Sequence, residues 1–227
     1  MTTLLTEHLT RRWWMLAGAL VVALALVGTI SLTVEAAEDE TLRWDVVVAT
    51  TIQRIDVPGV QYIVDLMNWA GRTVPLLSLT LLVVTALALL RRRTEMLIVL
   101  PVFLVHPVNF ALKQLAGSPR PTAEYVRITD TSHGFGFPSG HTMGIFILCG
   151  VLAYLAVTHF QRRSLQVSVL ALATFAALAV GFSRIYSGAH WPSDVLGAYL
   201  WGAFYVGLLI VLHQVLSRRA STAPEDA

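Results

Sequence analysis

The chain has 227 residues, 56% of them hydrophobic and only 13% charged, with a mean hydropathy of +0.67. That composition excludes an ordinary soluble domain, and several apolar runs are long enough to cross a bilayer, so the chain reads as an integral membrane protein. The formal net charge of +2 says little about partners, no nucleic-acid partner is expected, and Cys149, the only cysteine, excludes an intrachain disulfide and a cysteine-based zinc cluster.

Residues 1–12 form a polar tail ending in Arg11 and Arg12. The apolar run that follows, 13–34, resembles a signal peptide only at first sight. An h-region is roughly 7–15 residues long, whereas this run would cover about 33 Å as a helix. It is read as a retained first span, with Trp13 and Trp14 as interface anchors. Residues 35–72 open with Glu35, Glu38, Asp39 and Glu40, read as a solvated loop rather than a metal site. They continue as one or two amphipathic helices broken at Pro58 and Gly59. A second span is expected over 74–90, then a tight turn at Arg91, Arg92 and Arg93. A third follows over 96–112, containing Pro101, Pro107, Asn109 and His106, the last expected to pair within the bundle. A polar loop leads to a fourth span over 141–157. Arg162 and Arg163 mark a turn before a fifth over 165–182. A sixth runs over 195–216 and is closed by Arg218 and Arg219. The expected architecture is an all-α bundle of six transmembrane helices in a single domain, with a short extracytoplasmic helical segment between spans one and two.

Six spans place both termini on one side. Nine basic residues fall in the short turns and tails of that side: Arg11, Arg12, Arg91–Arg93, Arg162, Arg163, Arg218 and Arg219. Seven are spread over the much longer opposite loops. The positive-inside rule therefore makes the termini cytoplasmic and turns 35–72, 113–140 and 183–194 outward, in a multi-pass protein of the cell membrane.

Three polar stretches share that outer side. The first, KQLAGSPRP, runs over 113–121 and holds Lys113, Arg120 and Pro121; the second is Pro138, Ser139, Gly140 and His141; the third, SRIYSGAHWPSD, spans 183–194. In the third, His190 and Asp194 are four apart with Pro192 between them. Proline is tolerated in the first helical turn, so a helix should start near Trp191 or Pro192. A carboxylate after an imidazole can accept its Nδ1–H and fix the nitrogen left to react. Taken alone, the stretch is equally a polar loop between two spans. With the other two it supplies three cations, two histidines, a carboxylate and a Ser-Gly turn at a helix N-terminus that favours an anion. That inventory suits phosphoryl transfer, in which cations receive the charge on the phosphoryl oxygens while a nucleophile and an acid complete the set. His190 is the nucleophile, Asp194 its orienter and His141 the acid in this reading; carboxylates are too sparse for a two-metal site.

The patterns K-x6-RP, PSGH and SR-x5-H-x3-D, in this order, resemble the three-part signature of the type 2 phosphatidic acid phosphatase superfamily, and the six-span plan is similar to its membrane branch. The resemblance implies a lipid phosphate phosphatase that needs no metal or other cofactor. His190 would form a phosphohistidine, held by Asp194. His141 would protonate the leaving oxygen and then activate water. Lys113, Arg120 and Arg184 would bind phosphate oxygens with Ser139 and the Gly140 backbone. Ser183 and Pro121 would lend support, and Ser183 is as readily a purely structural loop residue. The Gly134–Phe137 run is read as an approach to the phosphate turn, and Trp191 as a packing residue that helps exclude water.

Expected partners are the bilayer and a lipid phosphate or diphosphate, with polyprenyl (undecaprenyl) diphosphate placed first and phosphatidylglycerol phosphate or phosphatidic acid next. Alternatives are a lipid phosphotransferase and, from another class, a non-enzymatic lipid-phosphate binder or transporter, which would need the cations but not the His190–Asp194 pair.

Overall fold

The computed structural model describes residues 26–35 and 42–222, with side chains to residue 217. The described residues are helical and irregular, without strand. α1 is seen from Leu26 to Glu35. It is followed by α2 (Arg43–Gln53), α3 (Val60–Ala70), α4 (Thr73–Leu89), α5 (Arg93–Val99), a 3-10 turn (Leu100–Leu104), α6 (Val105–Ala116), α7 (Gly140–His159), α8 (Arg163–Tyr186) and α9 (Pro192–Thr222). α5, the 3-10 turn and α6 read as one span, Arg93–Ala116, and with α7, α8 and α9 they make four helices long and apolar enough to cross a membrane. α3 and α4, bent by 66° at their junction, make a fifth if the pair counts as one span. Most of the expected first span, and the acidic cluster at Glu38–Glu40, lie outside the described residues. The break expected at Pro58 and Gly59 is present, with Gly59 left-handed at φ 89° just before α3.

α7 is the axis of the bundle. It packs along α8 and α9 and also meets α4, α5 and α6. The main core gathers there, with Leu76, Ile98, Val102, Met143, Ile147, Val151 and Val180 buried. α8 leaves Leu172, Phe175 and Leu178 exposed on its other side, as a lipid-facing surface must. A smaller apolar cluster of Ala49, Val126, Ile185, Trp191 and Val195 holds α2 against the α8–α9 junction. Trp191 is thus a packing residue, as expected, 6.5 Å from the Tyr125 ring centroid.

Two helices run further than their apolar stretches. α6 continues through Lys113 to Ala116, where Gly117 closes it at φ 64° and donates its N–H to the Lys113 carbonyl at 2.9 Å. α8 continues through Ser183 and Arg184 to Tyr186. Lys113, Ser183 and Arg184 are therefore helical residues rather than members of the polar loops. A hydropathy boundary marks where the side chains turn polar, whereas a helix continues until its backbone bonds end. His106 also departs from expectation, since its Nε2 is buried without a hydrogen-bond partner among the described residues.

Candidate active site

One end of the bundle gathers the C-terminal turn of α6, the N-terminus of α7 and the α8–α9 junction. Backbone and side-chain bonds stitch them together. Asn109 Nδ2 donates to the Pro138 carbonyl at 3.1 Å, after a cis Phe137–Pro138 bond. Ser139 N–H donates to the Asp194 carbonyl at 3.0 Å, and Gly136 N–H to the Ser118 carbonyl at 2.8 Å. Ser139 caps α7 in an extended conformation. The first i→i−4 bond of α7 runs from Met143 N–H to the Ser139 carbonyl at 3.0 Å, so the N–H groups of Gly140, His141 and Thr142 lie in the turn that helix geometry leaves free for an anion. The Ser139 hydroxyl accepts from Thr142 Oγ1 at 3.0 Å.

α9 starts at Pro192, which lacks the N–H that the first helical position cannot use. This places Asp194 in the first turn, directly over His190. His190 Nδ1 and Asp194 Oδ2 are 3.1 Å apart, and Trp191 N–H donates to the same oxygen at 3.0 Å. On the other side of the ring, Nε2 lies 3.1 Å from Arg120 Nη1. A guanidinium has only donors, so Nε2 must be the acceptor and Nδ1 the nitrogen that carries hydrogen to Asp194. Burial first, then the charges of Lys113, Arg120 and Arg184, hold the His190 imidazole well below its ordinary range. Both observations favour a neutral His190 with its free lone pair on Nε2.

The cations around it are held by the 118–139 loop. Lys113 Nζ donates to the Phe135 and Gly136 carbonyls at 2.6 and 2.7 Å. Arg120 donates to the carbonyls of Ala189 (2.7 Å), Gly134 (2.9 Å) and His133 (3.3 Å). Arg184 is 1% exposed; it donates to Asp130 at 2.6 Å, Asn68 at 2.8 Å and Ser132 at 3.1 Å. Its Nε is buried without a partner among the described residues, a donor an incoming anion can use. The carboxylates of Asp194, Asp130 and Asp45 at this end are engaged by His190, Arg184 and Ser193 respectively.

His141 faces a cleft of about 870 Å³ lined also by Trp69, Arg72, Val74, Leu76, Leu79 and Ile145. The backbone at the α3–α4 bend approaches its ring closely: a Cβ on Gly71 would stand 2.8 Å from His141 Cδ2. Pro121 is buried beside Arg120 in the chain. Ser183 turns its hydroxyl back to the Val180 carbonyl at 2.7 Å, a bond internal to α8.

The structure places Lys113, Arg120, Ser139, Gly140, His141, Arg184, His190 and Asp194 at one end of the bundle, leaves Ser183 bonded within α8, shows Pro121 only as a buried neighbour of Arg120, and adds other residues. Asn68 and Asp130 bind Arg184, and Arg72 lines the cleft at His141. Asp45 of α2 accepts from Ser193 N–H at 2.8 Å and from Ser193 Oγ at 2.6 Å, fixing the turn that carries Asp194. None of these four belongs to the motifs. Their signal is spatial, and the sequence marks Asp45 only as an acidic residue within an amphipathic helix.

The sequence profile of the PAP2 superfamily matches residues 94–218, which include all three motif segments. The chain belongs to the PAP2 superfamily. It is 35% identical over 96 residues to phosphatidylglycerophosphatase B of Bacillus subtilis (strain 168), covering 42% of this chain and 46% of that protein. It is 27% identical over 100 residues to an undecaprenyl-diphosphatase of Sulfolobus acidocaldarius, covering 44% of this chain and 39% of that protein. The matches therefore span less than half of either relative. The crystal structure of a transmembrane PAP2-type phosphatidylglycerolphosphate phosphatase from Bacillus subtilis superposes with a TM-score of 0.74 at 24% identity, over 86% of this chain and 96% of that one. At that identity the likeness shows a shared PAP2 membrane fold.

Proposed function

We propose that this PAP2 protein hydrolyses a lipid phosphate or diphosphate at the extracytoplasmic face, through a phosphohistidine on His190 and without a metal ion in the reaction. The observation that carries the reading is the reactive nitrogen of His190, set by Asp194 and placed among Lys113, Arg120 and Arg184. A pure binder needs those cations but has no use for a neutral imidazole held by a buried carboxylate.

In the first step His190 Nε2 attacks phosphorus and the P–O bond to the lipid breaks. His141 gives its proton to the departing oxygen, and Arg120 moves from Nε2 to a phosphoryl oxygen. In the second step His141 takes a proton from water as that water attacks phosphorus. The P–N bond breaks, its electron pair returns to Nε2, and phosphate leaves. Asp194 holds the Nδ1 hydrogen throughout and stabilises the positive charge on the ring. Lys113, Arg120, Arg184 and the α7 N-terminus receive the oxygens. The apolar wall of the cleft at His141 suits an acyl or prenyl chain.

Among headgroups we place polyprenyl diphosphate first, as the substrate cleaved to its monophosphate. Arg72 supports this choice: it stands in the cleft at His141, outside the cluster of three cations, where a second phosphate would lie. The test is phosphate release by purified protein from polyprenyl diphosphate, phosphatidylglycerol phosphate and phosphatidic acid, with His190→Ala as the control. Acid-labile, base-stable phosphoenzyme should accumulate in the wild type and be absent from the variant. Turnover retained by His190→Ala refutes the mechanism, and equal kcat/KM on all three lipids refutes the substrate choice.

A further inference from the structure

A second group of titratable side chains lies at the far end of the same helices. His159 closes α7 eighteen residues after His141, and His213 lies nineteen residues after Asp194 in α9. At 1.5 Å per residue, both are about 27–29 Å along the bundle from the phosphate site. Glu95 comes from the first turn of α5. One ligating atom from each of Glu95, His159 and His213 lies within 4.8 Å of the other two. Glu95 and His213 are each 8% exposed, whereas the His159 side chain is 36% exposed.

We propose that Glu95, His159 and His213 form a distal site for a divalent transition-metal ion of zinc's kind, bracing α5, α7 and α9 together. Two imidazoles and one carboxylate are a borderline-soft donor set that suits zinc, with a fourth position left for water. The His159 Nε2 atom is already 3.1 Å from Glu95 Oε1, and bonds of about 2.0 Å to a tetrahedral ion would bring ligand atoms to about 3.3 Å apart. That pair already stands near the required spacing, and His159, at the exposed end of α7, can move as the three ligand atoms, now within 4.8 Å of one another, close on the ion.

The surroundings of His213 also fit a metal ligand. Tyr154 Oη lies 2.9 Å from Nδ1 and Ser217 Oγ 3.5 Å from Nε2. Whichever nitrogen faces the ion, a hydroxyl stands at the other, the outer-shell arrangement that orients metal-bound imidazoles. Arg92, 3.6 Å from Glu95 and 58% exposed, is free to swing into solvent when a cation arrives. The ordinary alternative is a histidine–carboxylate ion pair with no metal.

The experiment uses full-length protein in detergent micelles, freed of any polyhistidine tag, with Co²⁺ as the optical probe and Zn²⁺ as competitor. The expected result is one equivalent of Co²⁺ with the visible bands of a four- or five-coordinate ion, bleached by Zn²⁺. Zn²⁺ should also raise the thermal midpoint. His159→Ala, at an exposed helix end, and Glu95→Gln should each weaken uptake at least tenfold, while His190→Ala binds as the wild type does. Bands that survive His159→Ala and Glu95→Gln, that vanish in His190→Ala, or that never saturate would overturn the site. None of these readouts uses phosphatase activity, so the result stands apart from the proposed hydrolysis.

Discussion

Asp45 lies outside the three motif segments, yet the structure makes the motif geometry depend on it. Its carboxylate receives two donors from Ser193, the residue before Asp194, at 2.8 and 2.6 Å. In Asp45→Ala, the buried Ser193 N–H and hydroxyl lose their partner. Hydrogen bonds to a charged acceptor contribute about 1.5–3 kcal/mol each, which for two gives roughly 3–6 kcal/mol. Burial opposes part of this, because it holds the Asp45 carboxyl above its ordinary range while the Ser193 bonds pull it down. Removing a helix cap costs about 0.5–2 kcal/mol. Between these two figures we expect a loss of about 2–3 kcal/mol, read as a lower midpoint of thermal inactivation in detergent. Catalysis should suffer separately. A shift of about 1 Å at a reacting group lowers rates by about 100-fold, so kcat should fall 10- to 100-fold with KM nearly unchanged. Asp45→Asn, which keeps one acceptor, should fall between. An Asp45→Ala protein with the wild-type midpoint and wild-type kcat would show that the start of α9 holds its position without α2.

Other outcomes follow from the same geometry. His190 must be neutral to attack, and its pKa is pushed below the ordinary 6.5; as pH falls through that lowered value the imidazolium forms and kcat/KM is lost, so the acid limb should lie below pH 6.5, and a limb at or above it would contradict the assignment. Gly71→Ala places a Cβ against His141 and should lower kcat at least tenfold with little change in thermal midpoint, compared by parallel turnover and melting curves. Arg72→Ala should lower kcat/KM for a lipid diphosphate about tenfold more than for a monophosphate, the equivalent of about 1.4 kcal/mol from one charge-assisted bond; equal losses on both substrates would remove Arg72 from the second phosphate.

What the sequence shows and what it hides divide along physical lines. The spans at α7, α8 and α9 are legible because bilayer thickness demands long apolar runs. The start of α9 at Pro192 is legible because proline suits only the first turn. The motif residues are legible because Lys113 and Arg120, or His190 and Asp194, are related by short spacings. Asp45 and Ser193 are 148 residues apart, Arg184 and Asn68 are 116 apart, and no local pattern encodes such pairs. The helical placement of Lys113 and Arg184 was hidden for another reason: hydropathy tracks side chains, and these polar residues sit on helices that continue past the apolar region. The 66° bend between α3 and α4, which brings Gly71 against His141, depends on packing that neither segment declares.

The three cations at the site have a second duty. Lys113 holds Phe135 and Gly136, Arg120 holds His133 and Gly134, and Arg184 holds Asp130 and Ser132. The side chains that would grip a phosphate are thus the fasteners of the loop that covers them. Occupancy of the site and order in that loop become linked equilibria drawing on the same donors, and linkage is reciprocal. Whatever free energy an anion withdraws from the loop, the loop withdraws from the anion's affinity. A doubly charged phosphate would offer those donors more charge than a singly charged lipid headgroup, so the tether would favour the more highly charged anion.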